Sequence, residues 1–247
     1  ATVLNLAVGP RSPMKVGMWN DVVCSKKTGI PIMSKVEWLN SDDPTRMLEF
    51  YSHCFDERKL RLFGIACVLR WGVPFQDKRA TEVVQKAELL AEGQLNETER
   101  RIAEAVSINL YREASHISVM FLPILVARKF DLRKAISSAA QYTEQTIIGS
   151  LEFDERLRNR RSEQAELLRK IVGNPFRQPH VDPSWRTDDV KGLALAAYDN
   201  RSTTSFPMLH DALLEAGCDN EEILNYCRTE REVIRGHWIL DLLLDRK

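Results

Sequence analysis

The sequence predicts an all-α protein, an irregular multi-helix bundle of one or two lobes. Three observations predict it. Apolar residues recur at steps of three and four through most of the chain after Ser34. Capping residues stand before these runs and glycine or proline stands after them. No convincing run of alternating strand residues occurs, and no repeat at a fixed period.

Residues 1–33 differ from the rest. They hold Gly9, Pro10, Pro13, Gly17, Gly29 and Pro31, and show little helical periodicity. They read either as an arm or as sequence upstream of a natural start at Met33. The bundle is expected over 34–173. Ser34 with Glu37 forms a capping box before Trp38, because each side chain can satisfy the other's free backbone N–H. Asp43-Pro44 is an N-cap followed by proline at the first helical position, opening a helix with Met47, Leu48 and Tyr51 on its inner side. Asp56 can cap the next helix, where Leu60, Phe63, Cys67 and Trp71 share a face. Gly72 and Pro74 close it.

Asp77 can start a helix through Val83, Val84, Ala87 and Leu90, ending at Gly93. Asn96 with Glu99 caps another, with Ile102, Val106 and Leu110 as its expected buried stripe, and Pro123 kinks or splits it later. Asp131 opens a further helical region that Gly149 divides and Gly173-Asn174-Pro175 ends. Residues 174–187 hold three prolines and read as a loop and internal boundary, anchored by Phe176 and Trp185. Residues 188–247 are expected to form a small C-terminal helical lobe. Its helices run from about Thr187 to Tyr198, from Pro207 to Ala216 with Gly217 as the stop, and from Asp219. The last is expected to carry Ile234, Trp238 and Leu242 on one face, with His237 pointing elsewhere. Trp38, Trp71, Trp185 and Trp238 read as core anchors.

Formal net charge is zero, which removes the usual argument for nucleic acid or an anionic membrane as the partner. The most apolar stretch, from Ile117 to Ala127, is interrupted by Pro123 and falls short of the roughly 20 residues a spanning helix needs. No signal peptide is apparent. The five cysteines, Cys24, Cys54, Cys67, Cys218 and Cys227, are odd in number and form no Cys-x-x-Cys motif. A reducing, cytoplasmic compartment is the expectation.

The common catalytic motifs are missing. There is no G-x-G-x-x-G, no Gly-Lys-Ser/Thr phosphate loop, no G-x-S-x-G and no H-E-x-x-H. Glu113 and His116 lie three apart on an expected helix and could share a face. Di-iron helical bundles need two such pairs plus two further glutamates, and Glu49 with His53 is a poor substitute. A solvated or locally hydrogen-bonded pair is the better account. His210, Cys218, Cys227 and His237 could meet around zinc, but structural zinc ligands come in close pairs on tight turns, and cysteine is often simply buried. Cys54 beside His53 points to another side of its helix, which argues against direct thiol activation. Arg156, Arg158, Arg160 and Arg161 form the strongest basic cluster. Glu152, Asp154, Glu155 and Glu163 surround it, so a solvated, ion-paired face explains it better than a nucleic-acid surface at Arg156, Arg160 and Arg161.

The stretches EWLNSDDPTRMLEFYSHCFDERKLRLFGIACVLR, EQAELLRKIVGNPFR, LHDALLEAGCDNEEILNYCR and VIRGHWILDLLLDRK resemble a paralogous helical family abundant in planctomycete-type bacteria. The resemblance covers most of 34–247 and not 1–32, and it implies a natural start at Met33. It implies no activity. Members are richer in cysteine around Cys67 and carry cysteine where His237 stands here, departures that weaken a metal reading. The expectation is therefore a bacterial, cytoplasmic, non-catalytic helical module with a protein partner and no cofactor. The alternatives are a metal protein or enzyme whose site assembles from distant helices, and a nucleic-acid-binding accessory protein.

Overall fold

The computed structural model describes residues 33–51, 57–71, 77–113, 122–127, 153–177, 180–201 and 205–246. The fold is all-α, a multi-helix assembly, and no strand occurs among the described residues. The helices are α1 (Lys35–Asn40), α2 (Pro44–Tyr51), α3 (Glu57–Trp71), α4 (Lys78–Ala91), α5 (Glu97–Glu113), α6 (Leu122–Val126), α7 (Phe153–Val172), α8 (Asp188–Asn200), α9 (Ser205–Glu215), α10 (Glu221–Thr229) and α11 (Trp238–Leu243), with a 3₁₀ turn at Pro183–Trp185. Among the described residues no helix is long and apolar enough to cross a membrane.

The expected caps at Ser34, Asp43, Asp77 and Asn96 form, because an N-cap depends only on local chain geometry, while Asp56 and Asp131 lie outside the described residues. Ser34 and Glu37 make the reciprocal capping box. The Asp43 carboxylate accepts from the amides of Thr45 and Arg46 at 3.1 and 3.2 Å. Asp77 caps α4, and Thr187 caps α8. Asn96 accepts from the Glu99 amide at 2.9 Å, and Asn220 caps α10.

Helix α3 departs from the one-face expectation. Every non-glycine side chain from Leu60 to Val68 is buried, so it is the central helix of the assembly. Leu60, Phe63 and Cys67 join Trp38, Met47, Phe50, Leu168 and Ile171 in a core with α1, α2 and α7. Leu62, Ile65 and Val68 look the other way, into a core with α4, α5 and α6 that includes Val83, Ala87, Leu110 and Leu125. A third core joins the 3₁₀ turn to α8–α11 through Trp185, Tyr198, Phe206, Leu213, Ile223 and Trp238.

Two glycines set how α11 and the turn before it meet the rest. Gly173, at φ +74°, ends α7 so closely against Trp238 that an added Cβ would stand 2.9 Å from its Cγ. Gly236, at φ +77°, meets Leu62, whose Cδ1 would lie 2.6 Å from an added Cβ. Only glycine fits both the left-handed backbone and the close approach.

Two expected faces are corrected. On α5 the buried positions are Arg100, Ala103, Ser107 and Leu110, whereas Ile102 is 59% exposed. Arg100 is buried because it donates to the Val126 carbonyl at 3.3 Å. Arg61 on α3 donates to the carbonyls of Leu125 and Ala127. Two guanidinium groups thus satisfy the C-terminal carbonyls of α6, where cations are favoured by the helix dipole. The expected final helix is also split. Residues 230–237 are not helical, so Ile234 and Trp238 are not on one helix, and His237 is as buried as its neighbour Trp238.

Candidate binding cleft and its buried ionic supports

Two adjoining hollows, about 210 and 430 Å³, share Leu69, Glu88, Arg201 and Arg235 in their walls. They form a groove between α3, α4 and the segments around Arg201 and Glu232–Arg235. Its floor is apolar, from Leu62, Ile65 and Ala66 of α3 and Leu167 of α7, and Leu69 stands 42% exposed at its mouth. Its rim is charged in both signs.

Each rim cation has an internal partner. Arg201 ends α8 in the left-handed conformation, φ 50°, which is costly for a side chain with a Cβ. That turn brings its guanidinium onto Glu88, a buried carboxylate of α4. Arg235 faces the second oxygen of Glu88 at 3.6 Å and lies over the Tyr198 ring at 5.8 Å. Arg70 pairs with Glu232.

Two largely buried ionic clusters adjoin the groove, the second sharing Glu232 with its wall. In the first, Arg58 of α3 bonds to Asp241 of α11, Glu92 beyond α4 and the Tyr198 hydroxyl of α8. Tyr198 donates to Glu92 at 2.5 Å, and Arg246 stacks over the Tyr198 ring at 4.1 Å. Burial raises the Tyr198 phenol, and the nearby carboxylates raise it further, so it stays protonated. In the second, Lys170 of α7 bonds to Glu230 and Glu232 at 3.1 and 2.8 Å. Burial works against the charges of Lys170 and Glu230, and their hydrogen bonds outweigh it. Lys170 is held above the usual lysine range and Glu230 well below the carboxylate range.

The sequence candidates fall in several places. Glu113 is exposed and pairs with Arg79 at 2.7 Å, while His116 lies outside the described residues. Arg161 pairs with Asp43 at 2.9 Å; the side chain of Arg156 lies outside the described residues, and Arg160 is half-buried on α7. His210 bonds its own neighbour Asp211 at 2.9 Å. Cys218 and Cys227 are buried in the C-terminal core, and His237 lies against Phe206 and Tyr226. Among the described residues no group of three or more His, Cys, Asp or Glu could hold a metal ion. Burial pushes the thiols of Cys67 and Cys218 up and that of Cys227 up to about 12, which keeps them protonated and poorly nucleophilic. Cys24, His53, Cys54, Asp56 and the Trp71 side chain lie outside the described residues.

The ionic clusters were not anticipated from the sequence. The available signals were charges set inside apolar runs: Asp241 within WILDLL, and Arg58 and Arg61 opening the run of α3. No family model, no curated protein and no solved structure matches this chain.

Proposed function

We propose that this chain is a helical protein-interaction module whose partner docks in the groove between α3, α4 and Arg235. The observation that carries the reading is the groove itself, an apolar floor ringed by charges, the anatomy of a protein interface. A partner helix with an apolar stripe suits it, because Leu69 at the mouth offers an unburied anchor point. Rim charges already paired in the free protein avoid burying bare cations on docking. The described thiols and His237 are engaged in core contacts, which favours binding over covalent chemistry. The reading takes the chain as a member of the paralogous family it resembles.

A photo-crosslinker placed at position 69 identifies the partner in the cell of origin, and the purified pair is then titrated. Leu69→Glu should weaken binding at least tenfold without moving the thermal midpoint. A reconstituted pair indifferent to Leu69→Glu, or no protein that binds when purified, overturns the reading.

A further inference from the structure

We propose that His237 is a proton-sensitive cap, holding α11 in place when neutral and releasing it when protonated. The proton positions are fixed by the hydrogen bonds around it. The Tyr226 hydroxyl has one proton, and it donates that proton to Glu230 Oε2 at 3.1 Å. Tyr226 can then only accept from the imidazole, whose Nε2 lies 3.3 Å away, so Nε2 carries the hydrogen. Nδ1 is left bare, and it accepts from the backbone N–H of Ile239 at 3.4 Å, as the N-cap of α11 requires.

A second proton can go only to Nδ1. It would set an N–H against the N–H of Ile239 and a cation at a helix N-terminus, where cations are disfavoured. The ring is fully buried, with Phe206 of α9 at 5.0 Å between centroids, so no water can take over the cap. The charged and titratable groups facing it are Glu230 at 3.8 Å and Tyr226 of α10, with Lys170 of α7 and Lys59 of α3 opposing its protonation. Glu230 favours the cation but is held by Lys170, and burial outweighs it, so His237 titrates below the ordinary 6.5.

The unfolded chain takes up its proton near 6.5 and the folded chain only below that. The cap's contribution is complete above the unfolded value and is lost as pH falls from it toward the folded value. What loosens is specific. Helix α11 carries Trp238, seated on Gly173, and Asp241, paired with Arg58 and Lys59, so acidification frees the element that ties the C-terminal core to α3 and α7.

The test uses the whole chain. Nitrogen-15 NMR of the histidines at pH 7.5 should find His237 as the Nε2–H tautomer; the Nδ1–H tautomer overturns the proposal. Between pH 7.5 and 5.5 the folding constant should fall up to about tenfold through this group. In His237→Asn, whose side chain caps without titrating, that difference should shrink, whatever its absolute stability. An undiminished pH difference in His237→Asn overturns the proposal. If that variant does not fold, hydrogen exchange of the wild-type amides at 239–241, corrected for intrinsic rates, decides. Protection at 239–241 should fall by up to about tenfold on acidification, and unchanged protection there overturns the proposal.

Discussion

Arg58 forks onto Asp241, its two terminal nitrogens 2.8 and 2.9 Å from the two carboxylate oxygens. The residues lie 183 positions apart, one opening the central helix and the other near the chain's end. The pair is almost dry, with side-chain exposures of 10% and 3%. A charge pair so placed adds little over apolar packing, but removing one member strands the other.

Asp241→Ala should therefore cost about 3–5 kcal/mol, read from urea unfolding of the whole chain. Glu92 remains to hold Arg58, so the loss belongs toward the lower end. Adding Arg58→Met should recover part of it, since the stranded cation is gone. A cost below about 1 kcal/mol for Asp241→Ala would mean that the pair is solvated.

That pair also marks where the sequence stops being legible. The caps at Ser34, Asp43, Asp77 and Asn96 depend on a few neighbouring residues, and pattern alone located them. The buried face of α5 depends on what lies across from it. Arg100 is inside because the carbonyl of Val126 needs a donor, and no periodicity of apolar residues encodes that. The same holds for the clusters around Arg58 and Lys170, whose members come from segments far apart in the chain. The break before α11 left one local sign, Gly236, whose positive φ ends the helical reading of Ile234 to Trp238. The groove left none, since its walls come from α3, α4 and the Arg201 and Arg235 segments.

Gly173→Ala should be among the most damaging small substitutions. The Trp38 indole donates to the Gly173 carbonyl at 3.0 Å, and Trp238 covers the Cα, so the backbone cannot move away from either. The left-handed conformation costs an alanine about 1–2 kcal/mol, and the contact with Trp238 adds about 1–3 kcal/mol of overpacking. Thermal unfolding measures the sum. Trp238→Ala relieves the contact but not the backbone strain, so combining the two should cost less than the sum of the single changes. Strict additivity would mean that the tryptophan does not press on Gly173.

Lys170→Met tests the second cluster through its pH dependence. Lys170 is about nine-tenths buried and bonds to Glu230, Glu232 and Glu166, so its loss leaves the buried Glu230 without its lysine. At neutral pH this should cost about 3 kcal/mol. Against the cost of burial, the nearby His237, hydrogen bonds from the Glu232 and Arg231 amides and the charge of Lys170 hold Glu230 below its ordinary 4.5. A carboxylate lowered in this way stabilises the fold above its unfolded value, and that contribution is lost as pH falls toward the folded one. Without the lysine the folded value rises, so the variant has less of this contribution to lose. The difference between wild type and Lys170→Met should be largest near neutral pH and narrow as pH drops below about 4.5. Urea midpoints from pH 7 to pH 3 measure it. A difference constant across that range would mean that Lys170 supports the fold through its packed methylenes and not through Glu230.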